Sequence, residues 1–383
     1  MSPISLSDLT VDPHAALASL REVSPVARLD ELGGWVVTSR GLCVDVLTDA
    51  DMFTVDDERF STRRVVGPGM LSLDGSEHSR HRSAFGAAFR ARSVRESLET
   101  WITGLASSLV AGIAPAGQAD LRESLALPMA TEVMRRILGL EASAEQLSRW
   151  NASITSAIDV VTSGGPVPRD GLESFDQLRA AVADSAEKAS LLGDARDSGL
   201  DIDEVTANVA VLLIGGIVTA DGAISILLRH LLDRPGVLAA LSDDPGLIPR
   251  AVDESLRLEP AAAFVDRYAT RDVDLGGAHI SSGDLVRVSI SAANRDPAVF
   301  DRPDSFDLHR PNPGDHLAFA RGPHACLGVH VAKLEARAAI EAVLEALPDL
   351  RDPEVPGPPP SGLIFRAPET VPAVWTGDSA TIS

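Results

Sequence analysis

The sequence predicts a mainly α-helical protein with a small β portion, folded as a single domain over residues 1–383. Two observations predict this fold class: apolar residues recur at three- and four-residue spacing over long segments, and strand-like runs are short and few. A third observation indicates one domain, because no stretch rich in Pro, Gly and Ser is long enough to divide the chain. With 45% apolar and 23% charged residues, the chain has the composition of a folded globular protein.

Helical periodicity predicts seven helices, and apolar runs bounded by turn residues predict a few strands. The predicted helices are Ser93–Ala114, Leu125–Leu140, Ala144–Val161, Leu172–Leu192, Asp203–Leu232, Leu247–Leu258 and Val329–Leu347. The predicted strands are Gly34–Thr38, Asp272–Leu275, Leu285–Ile290, Ile364–Arg366 and Ala373–Trp375. We expect the second and third of these strands to form a hairpin, because they flank the turn-rich sequence GGAHISSGD.

The charge and the cysteine content exclude several classes of partner and site. A formal net charge of −21 disfavours nucleic acid and anionic membranes, since both attract a basic face. Cys43 and Cys326 lie far apart and outside any CxxC or zinc-binding spacing, which suits a reducing cytoplasm. The N-terminal sequence has no basic region followed by an apolar run, so we predict no secretory signal and expect a cytoplasmic protein.

The most apolar segment, Val209–Leu228, is long enough to be a membrane helix. Asp221 and a pair of glycines interrupt it, and it lacks the flanking aromatic and basic anchors that membrane interfaces favour. We therefore predict a helix buried through the middle of a large soluble domain.

The strongest chemical signal is a cysteine loop directly before an amphipathic helix. Phe319, Gly322, His324, Cys326 and Gly328 follow the spacing F-x-x-G-x-H-x-C-x-G. Glycines let a backbone turn tightly and approach a flat ligand. A cysteine near a helix N-terminus has its thiolate stabilised by free N–H groups, and such a thiolate can ligate iron.

This loop resembles the haem-binding loop of the cytochrome P450 family, in its bacterial soluble class. The resemblance implies a triangular helical prism that holds haem b between a central helix of the I type and the helix after the cysteine loop. It implies a haem-thiolate monooxygenase with Cys326 as the axial iron ligand, and haem contacts from the other four motif residues of the loop. Cys43, which has no such motif, is predicted to be a small buried apolar residue.

Further motifs follow in the order of the same family. Glu254 and Arg257 are three residues apart on a predicted helix and can pair; the resemblance adds Arg310 and implies a buried structural cluster that supports the cysteine loop. His78 and Arg82 match the family's H-x-x-x-R, which binds haem propionates, and Arg267 and His324 are assigned the same role. Cations are needed there because haem brings two carboxylates into an acidic protein.

The central segment LLIGGIVTADGAI resembles the oxygen-activating segment of the family. The resemblance assigns catalytic roles to Gly215 and Gly216, which leave room for oxygen, and to Thr219, which relays protons. The Thr219 hydroxyl lies four residues after Gly215, so it can bond to that carbonyl. Position 218 departs from the family, since Val218 stands where Asp or Glu is usual. Asp221, one turn further on, is predicted to face away from the haem.

Three explanations for Val218 remain open. In the first, protons come through ordered water and Thr219 or through a polar group of the substrate. In the second, Asp221 replaces the missing acid. In the third, the enzyme does not perform ordinary hydroxylation. The first two fit insertion of one oxygen atom into a small, mainly apolar molecule of bacterial secondary metabolism. The third fits an atypical oxidative reaction, such as C–C or C–N bond formation or ring closure.

Family position also predicts the substrate pocket and the redox partner. The predicted substrate contacts are mostly aliphatic and small: Val65, Val66, Met70, Val209, Leu213, Gly216, Ala262, Phe264, Val265 and Ile364. The first three lie in a turn-rich stretch that we expect to act as a lid. No GxGxxG fingerprint follows a strand, so a separate ferredoxin or flavodoxin is implied. It would dock on a basic patch formed by Arg80, Arg90, Arg92, Arg321 and Lys333.

Overall fold

The periodic segments fold as helices in the computed structural model, which describes residues 4–187 and 190–377. Helices α1 to α9 are Leu6–Val11, His14–Val23, Arg40–Thr48, Ser61–Val66, Gly75–Gly86, Ala91–Ser97, Glu99–Ile113, Leu127–Leu138 and Ala144–Thr162. Helices α10 to α17 are Arg169–Ala186, Leu191–Asp197, Ile202–Leu213, Thr219–Leu232, Pro235–Asp243, Ile248–Leu258, Ile290–Ala293 and Val329–Ala346. The protein is therefore mainly α-helical, as predicted.

Two of the predicted helices are divided in the structure. The predicted helix Ser93–Ala114 is interrupted at Leu98, which is the C-cap of α6 and the N-cap of α7. Leu172–Leu192 becomes α10 and the start of α11, and its residues 188 and 189 lie outside the described residues. The first three residues of the N-terminal sequence also lie outside them.

The central helix forms as predicted and is buried by other helices. It runs as α12, a π-helical segment over Ile214–Val218, and α13, and two-thirds of its most apolar window is buried inside the protein. Its mean hydropathy of 2.2 would suit a membrane span. Here α8, α15 and α17 pack against it, so protein side chains cover the apolar surface.

The strands form one mixed sheet and two short pairs. Strands β1 to β9 are Val26–Leu29, Gly34–Val37, Phe53–Thr54, Gln118–Asp120, Phe264–Ala269, Val273–Leu275, Ala278–Ile280, Leu285–Ser289 and Pro372–Val374. The five-stranded sheet has the order β1-β2-β8-β5-β3, in which β2 and β8 are parallel and the other neighbours antiparallel. The other pairs are β4 with β9 and β6 with β7, both antiparallel.

The predicted hairpin between Asp272–Leu275 and Leu285–Ile290 is wrong. Strand β6 turns back at once through Gly276 and Gly277, whose φ values of 57° and 85° allow a tight turn, and pairs with β7. Strand β8 lies instead between β2 and β5. The returning strand therefore begins at Ala278, seven residues earlier than the predicted Leu285, because both glycines adopt the left-handed conformation that such turns need.

The two C-terminal strand predictions have different outcomes. Ala373–Trp375 corresponds to β9, shifted by one residue. Ile364–Arg366 forms no strand, since only an isolated bridge joins Phe365 to Ala262. That bridge nevertheless holds the C-terminal segment against the start of β5.

Candidate active site

The cysteine loop crosses from the small sheet to α17 and is held by its own backbone. The Cys326 N–H donates to the Phe319 carbonyl at 2.8 Å. Gly322 has a φ of 74°, and a Cβ at this position would lie 2.3 Å from the Leu47 carbonyl oxygen, so only glycine fits. Gly328 is the N-cap of α17, and its φ of −86° suits any residue. The tight backbone turn predicted for both glycines is therefore found at Gly322, while Gly328 lines the cavity and its approach to a ligand stays a prediction.

The Cys326 side chain is exposed to an internal cavity although it lies deep within the fold. This burial raises the pKa of the thiol, while the Gly328 N–H and the Arg82 guanidinium act in the opposite direction. The helix N-terminus alone does not overcome the burial. Cys43 has no access to this cavity and is fully buried in the sheet-side core, as predicted.

The cavity lies between the cysteine loop and the central helix. It contains about 1490 Å³ of space between protein atoms, including its mouth, and its lining is mainly apolar. Cys326, Phe319 and Gly328 line it from the loop, and Gly215, Gly216 and Thr219 line it from the central helix. The structure thus places the two strongest sequence motifs opposite each other, more than one hundred residues apart in the chain.

Basic side chains cluster at one edge of this cavity. Arg82 and His324 line it, and the His78 ring lies 4.3 Å from the His324 ring between centroids. Arg267, in β5, is 5% exposed, and its Nη1 donates to the carbonyl of Asp266. Burial lowers the pKa of His78 to about 4 and that of Arg267 to about 10. The four predicted residues therefore belong to one partly desolvated group.

One carboxylate accompanies these cations. Asp74 accepts from His324 Nε2 at 2.7 Å and from the N–H of Val55 at 3.0 Å, and Thr54 donates to it as well. Burial raises the pKa of Asp74, but these bonds more than offset it and hold the value below its usual range. His324 is thus oriented by Asp74 at the rim of the cavity, a contact that the sequence motif did not indicate.

The predicted Glu–Arg–Arg cluster forms, and it is buried in the core. Glu254 and Arg257 are fully buried, and their carboxylate and guanidinium make two bonds of 2.8 and 2.9 Å. Arg310 donates from Nε to both oxygens of Glu254 at 3.0 Å. Their remaining donors bind backbone carbonyls of residues 294–305. A buried ion pair is tolerated only when its donors are satisfied in this way.

The central helix changes its winding where it meets the cavity. The Thr219 hydroxyl donates to the Gly215 carbonyl, as the four-residue spacing predicts, beside the π-helical segment Ile214–Val218. Asp221 lies on another side of the helix, where Arg122 binds it at 2.8 Å and Ser225 donates to it at 3.2 Å. It does not line the cavity, in agreement with the prediction that it faces away.

Comparison with known proteins agrees with this geometry. The cytochrome P450 family model matches residues 246–365. The chain is 33% identical over 372 residues to 20-oxo-5-O-mycaminosyltylactone 23-monooxygenase of Streptomyces fradiae, covering 88% of this chain and 83% of that protein. The chain belongs to the cytochrome P450 family. It is also 34% identical over 382 residues to mycinamicin IV hydroxylase/epoxidase of Micromonospora griseorubida, with 93% and 94% covered.

Solved structures show that this P450 has the family fold throughout. P450BioI, in its complex with hexadec-9Z-enoic acid ligated acyl carrier protein, has a TM-score of 0.86 at 28% identity and covers 95% of this chain and 98% of its own. As a member of the family, the protein is a haem-thiolate oxidoreductase of the monooxygenase type, and its cofactor is haem b with a cysteine thiolate on the iron.

The residues present fit a haem. Within the part of the chain that the structure describes, His78 Nε2 is a buried atom without a hydrogen-bond partner. Arg82 and Arg267 are desolvated, which lowers both pKa values, and the carboxylates that attract Arg267, Asp74 and Asp266, already face His324 and Arg287. A Cβ at Gly215 would meet nothing within 4 Å. Two propionates and a flat ring would supply the missing anions and occupy this space.

Four of the ten predicted substrate contacts line the cavity: Met70, Gly216, Ala262 and Val265. The prediction is wrong for the other six, because they pack into the hydrophobic core instead. These are Val65, Val66, Val209, Leu213, Phe264 and Ile364. Val65 and Val66 belong to α4, which packs against α9, and so are not part of an open lid. Leu71, Val211 and Leu212 also line the cavity, from the two stretches predicted to supply substrate contacts, residues 63–71 and 209–216, and the lining residues that we missed include Phe89, Met134 and Ala223.

No sequence signal distinguished the missed lining residues from ordinary core residues. A helix presents its apolar stripe to both the core and the cavity, and only the positions of neighbouring helices separate the two. Met134 is an example: it lies in the amphipathic α8 and reaches the cavity beside Gly216. Glu335 is another, since it is a buried acid of α17 that also lines the cavity.

The predicted basic patch is reduced by ion pairs. Arg80 binds both Glu77 and Glu204, Arg92 binds Glu96, and Lys333 binds Asp253. Among the described residues, Arg90 and Arg321 are exposed and form no ion pair. Of the five basic residues predicted to form the patch, only Arg90 and Arg321 therefore form no ion pair in the described chain.

Proposed function

We propose that this P450 acts as a single cytoplasmic domain that inserts one atom of dioxygen into a small, mainly apolar molecule of bacterial secondary metabolism. The observation that carries the proposal is the apolar cavity between Cys326 and Thr219. Apolar lining favours a substrate body without charge, since a buried charge would need a partner. The relatives named above are a 23-monooxygenase and a hydroxylase/epoxidase by their names, which supports the same reaction class.

In this proposal each residue of the site has one task. Cys326 holds the haem iron, and Arg82, His78, Arg267 and His324 hold the propionates. When bound, the haem supplies the activation of dioxygen. Asp74 orients His324 by accepting from Nε2.

The central helix contributes room and a proton. Gly215 keeps the cavity open above the cofactor, since its Cβ direction points into free space. With haem bound, the Thr219 hydroxyl would turn away from the Gly215 carbonyl, donate its proton into the cavity and regain one from a water whose hydrogen bond it accepts. Asp221 is paired with Arg122, so we assign the supply of protons to water or to a polar group of the substrate.

An oxidative coupling or ring closure is the second candidate, and Val218 is the observation that favours it. Labelled dioxygen separates the two reactions. Incorporation of one labelled atom into the product supports the monooxygenase, and a product without label replaces it with the coupling reaction.

For electron supply we propose a ferredoxin- or flavodoxin-type partner. An acidic partner would meet Arg90 and Arg321, the two exposed members of the predicted patch that form no ion pair in the described chain. Substitution of either by Glu should lower the rate of haem reduction by the partner. The rate with a small chemical reductant serves as control, because it does not depend on docking.

The experiment that tests the function is a titration of the ferric holoenzyme with candidate substrates, followed by the Soret band. A blue shift with one compound supports an apolar substrate site beside the haem. The same titration with acyl carrier protein loaded with the compound distinguishes a carrier-bound substrate, as in the neighbour P450BioI. Cys326→Ala should lose the thiolate spectrum, and an intact thiolate spectrum in this variant would overturn the assignment.

Variants of Thr219 test the proton relay. Thr219→Val removes the hydroxyl and keeps the shape, while Thr219→Ser keeps the hydroxyl. We expect Thr219→Val to consume electrons without forming a matching amount of product and Thr219→Ser to remain coupled. Normal coupling in Thr219→Val would contradict the relay.

A further inference from the structure

A buried amide on the central helix binds the segment that borders the cavity mouth. Asn208 is fully buried in α12, three turns before Thr219. The segment is Gly69–Leu71, in which Met70 and Leu71 line the cavity and Leu71 is 38% exposed. We propose that Asn208 positions this segment and that His81 fixes the orientation of the Asn208 amide. The proposal rests on the proposed function only in making this cavity the substrate site.

The chemistry of the donors fixes the orientation of the amide. A backbone N–H can only donate, and the Met70 N–H lies 2.7 Å from Asn208 Oδ1, so the oxygen must face the segment. The amide nitrogen then faces two acceptors on the other side. These are the Glu204 carbonyl at 2.7 Å and His81 Nδ1 at 2.8 Å.

The same contacts select one tautomer of His81. Because the Asn208 amide donates to Nδ1, that nitrogen must carry a lone pair, and the proton sits on Nε2. His81 Nε2 lies 3.4 Å from Glu204 Oε1, which can accept its proton, and 3.3 Å from an Arg80 guanidinium nitrogen, which can only donate. The shorter contact of 2.8 Å between Asn208 and Nδ1 decides for the proton on Nε2. A proton added at Nδ1 would face the amide N–H of Asn208, and the amide could relieve this contact only by rotating. Rotation would present an N–H to the Met70 N–H and release the segment.

The charges around His81 come from two helices. Arg80 and Glu77 lie on α5, Glu204 lies on α12, and His78 is the other titratable side chain nearby. Glu77, His81 and Glu204 have the spacing of a metal site. The Arg80 guanidinium binds both carboxylates, so it already supplies the positive charge that a cation would bring.

Apart from the buried Met70 side chain, which packs in the core, the segment is held mainly by hydrogen bonds within itself. Gly67, with a φ of 85°, precedes it, and Ser72 closes a local turn by donating from its backbone to the Gly69 carbonyl at 2.9 Å. This turn links the segment to itself and not to the helix. The bond from the Met70 N–H to Asn208 Oδ1 therefore links the segment to the central helix. Gly69 also lies close to this oxygen, since a Cβ on Gly69 would be 3.3 Å from it.

Hydrogen exchange of the haem-loaded enzyme without substrate tests the positioning. Asn208→Leu keeps the size of the side chain and removes the acceptor, and it should speed exchange in the peptide containing Met70 on the order of tenfold. Thr206→Val is the matched control, because Thr206 is also buried in α12 but its hydroxyl bonds only to the Ile202 carbonyl of the same helix. Unchanged exchange in a folded Asn208→Leu would overturn the proposal.

Variants of His81 test the orientation and remain informative if Asn208→Leu fails to fold. His81→Asn keeps an acceptor near the place of Nδ1, whereas His81→Leu removes it. The Met70 peptide should exchange faster in His81→Leu than in the wild type, and that of His81→Asn should stay close to the wild type. Equal exchange in His81→Leu and the wild type would overturn the role of His81. Neither exchange measurement needs turnover. If the wild type shows the expected exchange but forms no oxygenated product, the proposed function fails and the positioning by Asn208 stands.

Discussion

The thioether of Met134 lies where a side chain on Gly216 would project. A Cβ built on Gly216 would be 2.2 Å from the Met134 sulfur, whereas a Cβ on Gly215 would meet nothing within 4 Å. The two adjacent glycines therefore serve different purposes. Gly215 leaves space in the cavity, and Gly216 lets α8 pack against the central helix.

The first prediction separates the two glycines. Gly216→Ala should lower the free energy of unfolding by about 1 kcal/mol, because the cost of overpacking exceeds the gain from replacing a helical glycine. Gly215→Ala should be neutral or slightly stabilising but should weaken substrate binding. Urea unfolding and Soret titration measure these effects. In the double variant Gly216→Ala with Met134→Ala, the two costs should not add; strict additivity would show that the residues do not compete for space.

The second prediction concerns Ala320, which has a φ of 53° in the cysteine loop. The left-handed conformation costs a residue with a Cβ about 1–2 kcal/mol, and glycine avoids most of that cost. Ala320→Gly should raise the unfolding free energy by about 0.5–1 kcal/mol. Ala318→Gly is the control, since Ala318 lies outside this region of φ and its substitution should destabilise. Equal effects of the two substitutions would mean that the backbone strain is absent.

The third prediction concerns the buried Glu–Arg–Arg cluster. Glu254→Gln leaves Arg257 and Arg310 without a counter-charge and should cost about 3–5 kcal/mol of stability, with loss of haem on purification. Glu96→Gln breaks the pair with Arg92 on the protein surface, where the Arg92 side chain is 81% exposed and the Glu96 side chain 57% exposed. It should cost less than about 0.5 kcal/mol. Similar unfolding midpoints for the two variants would contradict the structural role of the cluster.

The fourth prediction concerns Glu335, a buried carboxyl of α17. Burial raises its pKa well above the usual value, and its Oε1 has no hydrogen-bond partner among the described residues. A raised native pKa means that the unfolded chain loses this proton first as pH rises. The contribution of Glu335 to stability is therefore complete below the unfolded pKa of about 4.3 and declines as pH rises toward the native pKa.

Glu335→Gln removes this titration. The variant should gain stability relative to the wild type as pH rises from mildly acidic to neutral, and the difference between the two proteins should be smallest in acid. Urea unfolding over this pH range measures it. A difference that is independent of pH would show that Glu335 is ionised in the native protein.

The sequence predicted best what depends on short spacings. The bond from Thr219 to Gly215 and the pairing of Glu254 with Arg257 follow from three- and four-residue spacing on a helix, which fixes both partners locally. The cysteine loop was recognised for the same reason, because its backbone turn requires glycine at position 322.

The tertiary structure decided the contacts between distant segments. It paired Asp221 with Arg122, ninety-nine residues away, and it placed Val65 and Val66 in the core although their sequence suggested a lid. It also neutralised Arg80 with Glu204. The physical reason is that an apolar or charged side chain has the same local pattern whether it faces a cavity, the core or solvent, and only the packing of the other helices determines which one it meets.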